Sequence, residues 1–251
     1  MKSLILATGF SARLQPFTSE FPNSLLEVGG KSVIDRLLCD VDAMDGIDDH
    51  LIVTNEVCYP YLKAWLVRTH YKKPMTLIND ARVRVQERES LMCEIVYVIE
   101  RQSLNEDVLI VGDSTVVDGS LMEFVRQARL RDCSCLSCYR ETSLPALKDG
   151  GVVVFDQQMK VVAVHDRPQV PPTRWGVAPF LFLTGADVVK LYKAVAGGVA
   201  FETPNNLLAW LCASSNLYAW LLPSPWFDIS DASLYEAADK LFTDKRLDVQ
   251  T

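Results

Sequence analysis

The chain has 251 residues, 49% of them hydrophobic, a formal net charge of −7 and seven cysteines. That length supports a full hydrophobic core in one large or two small α/β domains. The acidic balance argues against nucleic-acid binding as the main role, because a phosphate backbone rewards a basic surface, whereas a small anion needs only a local group of cations. An odd number of cysteines in a chain too long to need staples reads as reduced thiols rather than a disulfide framework. The apolar run after Lys2 is too short for a secretory leader, and the stretch 207–222 is broken by Ser214, Ser215 and Asn216 and falls short of a membrane span. The chain therefore reads as cytoplasmic, with neither a nucleic-acid nor a membrane partner.

Strands are predicted at 3–7, 50–54, 75–79 and 107–112, alternating with helices at 31–45, 58–70 and 88–102. Short apolar strands alternating with helices imply a doubly wound α/β fold with a mostly parallel sheet covered on both faces. A further helix is expected at 120–131, with Leu121, Phe124, Val125 and Ala128 on one stripe. Beyond it come strands at 133–139, 151–155, 160–165 and 178–183, with turns at 148–151 and 156–158. Helices follow at 185–196 and 203–213, strands at 217–222 and 226–229, and a last helix at 231–243. The Pro-rich stretch 168–172 is a rigid loop rather than a linker.

The first strand runs directly into Leu6-Ala7-Thr8-Gly9-Phe10-Ser11-Ala12-Arg13-Leu14-Gln15-Pro16-Phe17-Thr18. In a parallel α/β sheet this turn lies at the carboxyl end of the strand, where such folds bind ligands. Small residues allow the backbone to approach an anion, and Arg13 can fork onto phosphate oxygens.

This string, followed by Pro22-Asn23-Ser24-Leu25-Leu26-Glu27-Val28-Gly29-Gly30-Lys31, resembles the opening motif of the sugar-phosphate nucleotidyltransferases, which include the glucose-1-phosphate thymidylyl-, uridylyl- and cytidylyltransferases. The resemblance covers nearly the whole chain. It implies a Rossmann-like mixed sheet in one domain, with residues 1–132 as the nucleotide-binding half and 133–251 as the sugar-phosphate-binding half. It also implies transfer of a nucleotidyl group from an NTP to a sugar phosphate or similar small phosphorylated alcohol, with Mg²⁺ and release of pyrophosphate. Val111-Gly112-Asp113 matches the family's strand-end Gly-Asp, and Trp226-Phe227-Asp228-Ile229-Ser230 its second metal motif, so Asp113 and Asp228 would hold the metal. Asp166-Arg167-Pro168 stands where the family has Glu-Lys-Pro, a carboxylate for sugar hydroxyls and a cation for the sugar phosphate. Gly151-Val152-Val153 matches the stretch that lines the sugar pocket. The implied substrate contacts are Leu6, Ala7, Gly9, Gly151 and Asp166; the implied catalytic positions are Arg13, Asn23 and Arg167.

Besides the tolerable changes of an alanine to Thr8 and a tyrosine to Gly150, the pattern departs from the family at three places. Asn23 stands where the family has a lysine that neutralises the transferring phosphate, and an amide brings no charge. In the stretch Arg88-Glu89-Ser90-Leu91-Met92-Cys93-Glu94-Ile95, Ser90 and Cys93 replace two glycines. Arg167 replaces a lysine, which keeps the charge but not the shape. Two readings follow. One is a divergent enzyme in which another cation serves, either Lys31 or an arginine of the segment 81–88. The other is a pseudoenzyme that acts as a nucleotide- or sugar-phosphate-binding or regulatory subunit, for example paired with an active homologue; a homo-oligomer is also open.

Other clusters have plainer readings. Cys133, Cys135 and Cys138 lack the fourth ligand of a closed zinc site and read as buried small residues on a strand. Asp40, Asp42, Asp45, Asp48 and Asp49 lack calcium-loop spacing and read as a solvated helix end. Arg82 and Arg84 alternate with valines as on an edge strand. His165 reads as a structural strand-end histidine.

Overall fold

The computed structural model describes residues 1–9, 21–82, 91–112 and 114–250. In chain order the elements are β1 (Lys2–Leu6), a 3₁₀ turn (Asn23–Leu25), β2 (Glu27–Val28), β3 (Lys31–Ser32), α1 (Val33–Val41), β4 (Asp49–Thr54), α2 (Tyr59–Arg68) and β5 (Met75–Asn79). Then follow α3 (Leu91–Arg101), β6 (Val108–Gly112), β7 (Thr115–Val117), α4 (Met122–Arg131), β8 (Ser134–Arg140), α5 (Leu144–Asp149), β9 (Gly151–Phe155), β10 (Val161–Asp166) and β11 (Trp175–Leu183). The chain ends with α6 (Gly185–Ala196), α7 (Pro204–Ser214), β12 (Leu217–Leu221), β13 (Trp226–Asp228) and α8 (Ala232–Gln250). The fold is α/β with a mixed, mostly parallel sheet, as the alternation of apolar strands and helices predicts. Its residues group into two compact units that interleave along the chain: one of 2–86, 111–122 and 224–251, the other of 1, 87–110 and 123–223.

In the first unit, β1, β4 and β5 pair in parallel, with Leu4 beside Leu51 and Leu51 beside Thr76. Leu4, Ile5, Leu51, Ile52 and Val53 are essentially unexposed, as expected of strands covered on both faces. Helix α1 starts at Ser32, whose hydroxyl accepts the Asp35 N–H, and buries Val33, Ile34, Leu37, Leu38 and Val41. Asp35 also accepts from the Trp65 indole at 3.1 Å and the Tyr71 hydroxyl at 2.6 Å, fixing α1 against α2 and the loop beyond it. The β2–β3 hairpin turns on Gly29 (φ +56°) and Gly30 (φ +73°), a pair of left-handed positions that only glycine adopts without strain. Helix α8 packs on this hairpin: Asp239 accepts the Gly29 N–H at 2.7 Å, and Arg36 stacks on the Phe242 ring at 4.2 Å. Leu26, Val28, Val33, Val116, Ile229 and Ala238 form the small core beneath it.

The second unit is built around β8. Strand β12 lies parallel to β8, while β11 runs antiparallel to it; β9 pairs with β11, and β10 with β9. Cys133, Cys135 and Cys138 are buried in or beside β8, with 3.8 Å between the first two sulfurs, and all seven cysteines are free thiols. Asp187 of α6 is buried and neutralised by three donors: Ser134 at 2.6 Å, Ser215 at 2.5 Å and Lys190 at 3.2 Å.

Helix α4 buries Phe124, Val125 and Ala128, as the stripe predicted, although it begins at Met122 rather than at residue 120. Four elements escape the sequence pattern: the two-residue strands β2 and β3, the short β7, and α5, which occupies part of an expected turn. Such short elements carry too few residues to show a period. The acidic cluster is corrected too. Asp42 is buried, accepting the N–H groups of Lys72 and Lys73 at 3.0 Å each, while Asp40 accepts the Leu121 N–H at 2.7 Å.

Asp42 also ends a buried polar chain. The Ser3 hydroxyl lies 2.6 Å from His50 Nδ1, and His50 Nε2 lies 3.2 Å from Asp42 Oδ1. A carboxylate only accepts, so Nε2 carries the proton and Nδ1 accepts from Ser3. Burial holds His50 below its ordinary value of 6.5, with the Asp42 hydrogen bond opposing. Burial raises Asp42, but the hydrogen bonds from Lys72, His50 and Lys73 outweigh it and leave the group below 3.8. For His50 the unfolded chain takes up the proton first. Its contribution is complete above 6.5 and is lost as pH falls from there towards the lower folded value. The Asp42 contribution is lost in a separate window, as pH falls through 3.8. Between about pH 7.5 and about pH 5.5 the melting temperature should therefore drop by a few degrees, and His50→Gln should flatten that drop. Equal slopes in the two proteins would contradict this account.

Candidate active site

The turn after β1 is anchored through three successive carbonyls. Ala7 O accepts from Thr54 Oγ1 at 2.9 Å, Thr8 O from Asn55 Nδ2 at 3.0 Å, and Gly9 O from the Asn23 N–H at 3.0 Å. Carbonyls engaged in this way do not oppose an approaching anion. Leu6 and Ala7 are buried and hold the strand end in place. Arg13 and Asp113 lie outside the described residues, as do Arg84, Arg88 and Ser90.

Asn23 opens the 3₁₀ turn and is 2% exposed; its Oδ1 is buried without a partner among the described residues, and so is the Ser24 hydroxyl. Its backbone thus closes the loop onto Gly9, while its side chain brings a buried dipole and no charge. The two described alternative cations are engaged: Lys31 Nζ lies 2.6 Å from the Cys39 sulfur, and Arg82 lies 3.8 Å from Asp80.

Asp228 ends β13, which pairs antiparallel with β7 so that Asp228 stands opposite Thr115. The Ile229 N–H donates to Ser114 O at 2.8 Å and extends that pairing by one step. Asp228 Oδ1 accepts the Ser230 N–H at 3.0 Å, and Oδ2 has no protein partner among the described residues. A half-buried carboxylate with one oxygen fixed and one open is a suitable hard donor for Mg²⁺. Among the described residues no three His, Cys, Asp or Glu side chains gather as a metal cluster.

In the other unit, Asp166 and Gly151 are direct partners across β10 and β9. Arg167 follows in the left-handed region (φ +45°), held by its N–H donating to Gly150 O at 3.0 Å. A non-glycine residue in that conformation stores strain, which persists where the surroundings enforce it. Its exposed guanidinium makes no hydrogen bond or ion pair among the described residues. The Asp166 carboxylate is gripped by Thr203 Oγ1 at 3.2 Å and Asn205 Nδ2 at 2.7 Å. These two residues were not anticipated. Thr203-Pro204 reads in sequence only as a helix cap with proline in the first turn, and nothing local shows that α7 begins beside Asp166. His165 is exposed on the neighbouring position.

A family model described as nucleotidyl transferase matches residues 2–242, and the chain belongs to that family. It is 25% identical to a glucose-1-phosphate thymidylyltransferase of Neisseria meningitidis, over 95% of this chain and 81% of that one. It is 21% identical to the bifunctional protein GlmU of Methanococcus aeolicus over 68% of this chain, and there it spans only 37% of the relative's length. A UDP-glucose pyrophosphorylase solved with UDP-glucose has the same fold, with a TM-score of 0.81, 17% identity and coverage of 97% and 98%. Among the described residues no helix is long and apolar enough to cross a membrane.

Thr203 caps α7 and holds Asp166 with the same hydroxyl. Thr203→Ala should lower stability in urea unfolding by about 1 kcal/mol, with Thr203→Ser close to the parent. An unchanged midpoint in the alanine variant would count against the capping role.

Proposed function

We propose that the protein transfers a nucleotidyl group from an NTP to a sugar phosphate or a similar small phosphorylated alcohol, releasing pyrophosphate. The observation that carries this reading is the β7–β13 register. It sets Asp228, with one open oxygen, opposite Thr115, two positions beyond Asp113. Asp228, together with Asp113 as the resemblance implies, would hold Mg²⁺, which when bound would neutralise charge on the α-phosphate.

The rest of the reading assigns roles to this chain's own groups. Arg13 grips the leaving phosphates. Asp166 accepts hydrogen bonds from hydroxyls of the incoming sugar, and Arg167, unpaired among the described residues, holds its phosphate. A phosphate oxygen then attacks the α-phosphorus in line as the α–β anhydride bond breaks, so catalysis is mostly positioning and charge neutralisation. Leu6, Ala7 and Gly9 carry the nucleotide on the anchored turn. A location in a reducing, cytoplasmic compartment fits the seven free thiols.

One observation favours the second reading, a binding or regulatory subunit that keeps the fold. Asn23 is buried and uncharged at the position where the resemblance places a lysine. Loss of one preorganised donor of this kind costs roughly 10² to 10³ in rate.

A panel of NTPs and sugar 1-phosphates with Mg²⁺, followed by pyrophosphate release, separates the two readings. The first predicts turnover by the wild-type chain with at least one pair, abolished by chelation and by Asp228→Asn. The second predicts silence from the wild type and activity in Asn23→Lys. Silence from both across the whole panel would contradict the assignment.

A further inference from the structure

Asp166 and Gly151 face each other across two strands, and a third side chain bridges them. Asn205, in the first turn of α7, donates Nδ2 to Asp166 Oδ1 at 2.7 Å. Its carboxamide also lies directly over Gly151. A Cβ at that position would stand 2.2 Å from Asn205 Oδ1 and 2.7 Å from Asn205 Cγ. Gly151 is not in a left-handed conformation, so its backbone would accept any residue. It is glycine because the Asn205 carboxamide fills the space a side chain would need.

We infer that Asn205 is a positioning and specificity-determining residue for the acceptor substrate, an inference that rests on the reading of Asp166 given above. Asn205 and Thr203 place one donor on each oxygen of Asp166, which stops the carboxylate from rotating and leaves each oxygen a further lone-pair direction. The amide nitrogen is committed to Asp166, so the carboxamide is oriented with Oδ1 as an acceptor, and Oδ1 has no protein partner among the described residues. The site therefore presents two adjacent acceptor groups, the Asp166 carboxylate and Asn205 Oδ1, beside the one N–H of the Asn205 amide that Asp166 leaves open. The complementary ligand offers two neighbouring hydroxyl donors, as the polyol face of a sugar phosphate does, with its phosphate towards the unpaired Arg167. An analogue lacking one of those hydroxyls leaves an acceptor unsatisfied, and sites of this kind discriminate strongly on that basis.

The test is calorimetric titration of the full chain with a panel of hexose 1-phosphates, the tightest binder being carried forward, and with inorganic phosphate as comparator. Asn205→Ala should weaken the hexose phosphate by roughly tenfold and leave inorganic phosphate unchanged. Asn205→Asp has the same size and places a carboxylate beside Asp166, so it should weaken binding further without the risk of a packing defect. In turnover, both changes should raise KM and leave kcat nearly unaltered. Gly151→Ala should cost about as much as Asn205→Ala in the wild-type background, and almost nothing when combined with it. Unaltered affinity in both Asn205 variants overturns the inference while leaving the Asp166 reading intact. An equal cost of Gly151→Ala in the two backgrounds also overturns it, because Gly151 would then face the ligand directly. A wild-type chain that binds no hexose phosphate removes the Asp166 reading and this inference together.

Discussion

Strands β7 and β13 come from distant parts of the chain and meet over only three residues, yet their register determines what Asp228 can do. Opposite Thr115, with its backbone neighbour Ile229 bonded to Ser114, the Asp228 carboxylate is carried to the segment that leaves β6. A slip by one residue would turn every side chain of so short a pair to the other face. The register is protected by Val116 and Ile229, which are buried in the same small core as Leu26, Val28, Val33 and Ala238. Packing beneath the hairpin and α8 thus fixes the position of a carboxylate that does no packing itself.

Charge is the second constraint. Transfer between phosphates gathers negative charge, and each cation available to oppose it matters. Asn23 contributes none, and Lys31 and Arg82 are engaged by Cys39 and Asp80. In the other unit, Arg167 has no protein partner for its guanidinium among the described residues, and its backbone is held in a strained conformation. A carboxylate clamped by Thr203 and Asn205 and followed directly in the chain by an exposed arginine suits the proposed ligand, anionic at one end and hydroxyl-rich at the other.

Much of this was legible in the sequence. Strands 75–79 and 151–155 and helix 185–196 agree to the residue with β5, β9 and α6, because apolar runs and clear caps mark them. The proximity of Asp166 to Gly151 follows from a hairpin turning at 156–158. Hidden from the sequence were contacts made by topology: the seat of Asn205 over Gly151, the partners of Asp42, and the pairing of a three-residue strand with another over a hundred positions away. A polar residue such as Asp42 reads as solvated until the fold brings amides to it, and nothing local to Gly151 shows that the Asn205 carboxamide lies over it.

The central claim is that a divalent cation is held where Asp228 meets the segment beginning at Asp113. Electron paramagnetic resonance of Mn²⁺, a spectroscopic stand-in for Mg²⁺, tests it directly in the presence of a non-hydrolysable NTP. The account predicts a protein-bound manganese signal that disappears in Asp228→Asn and in Asp113→Asn, with both variants still folded. A signal that survives both substitutions unchanged would contradict it.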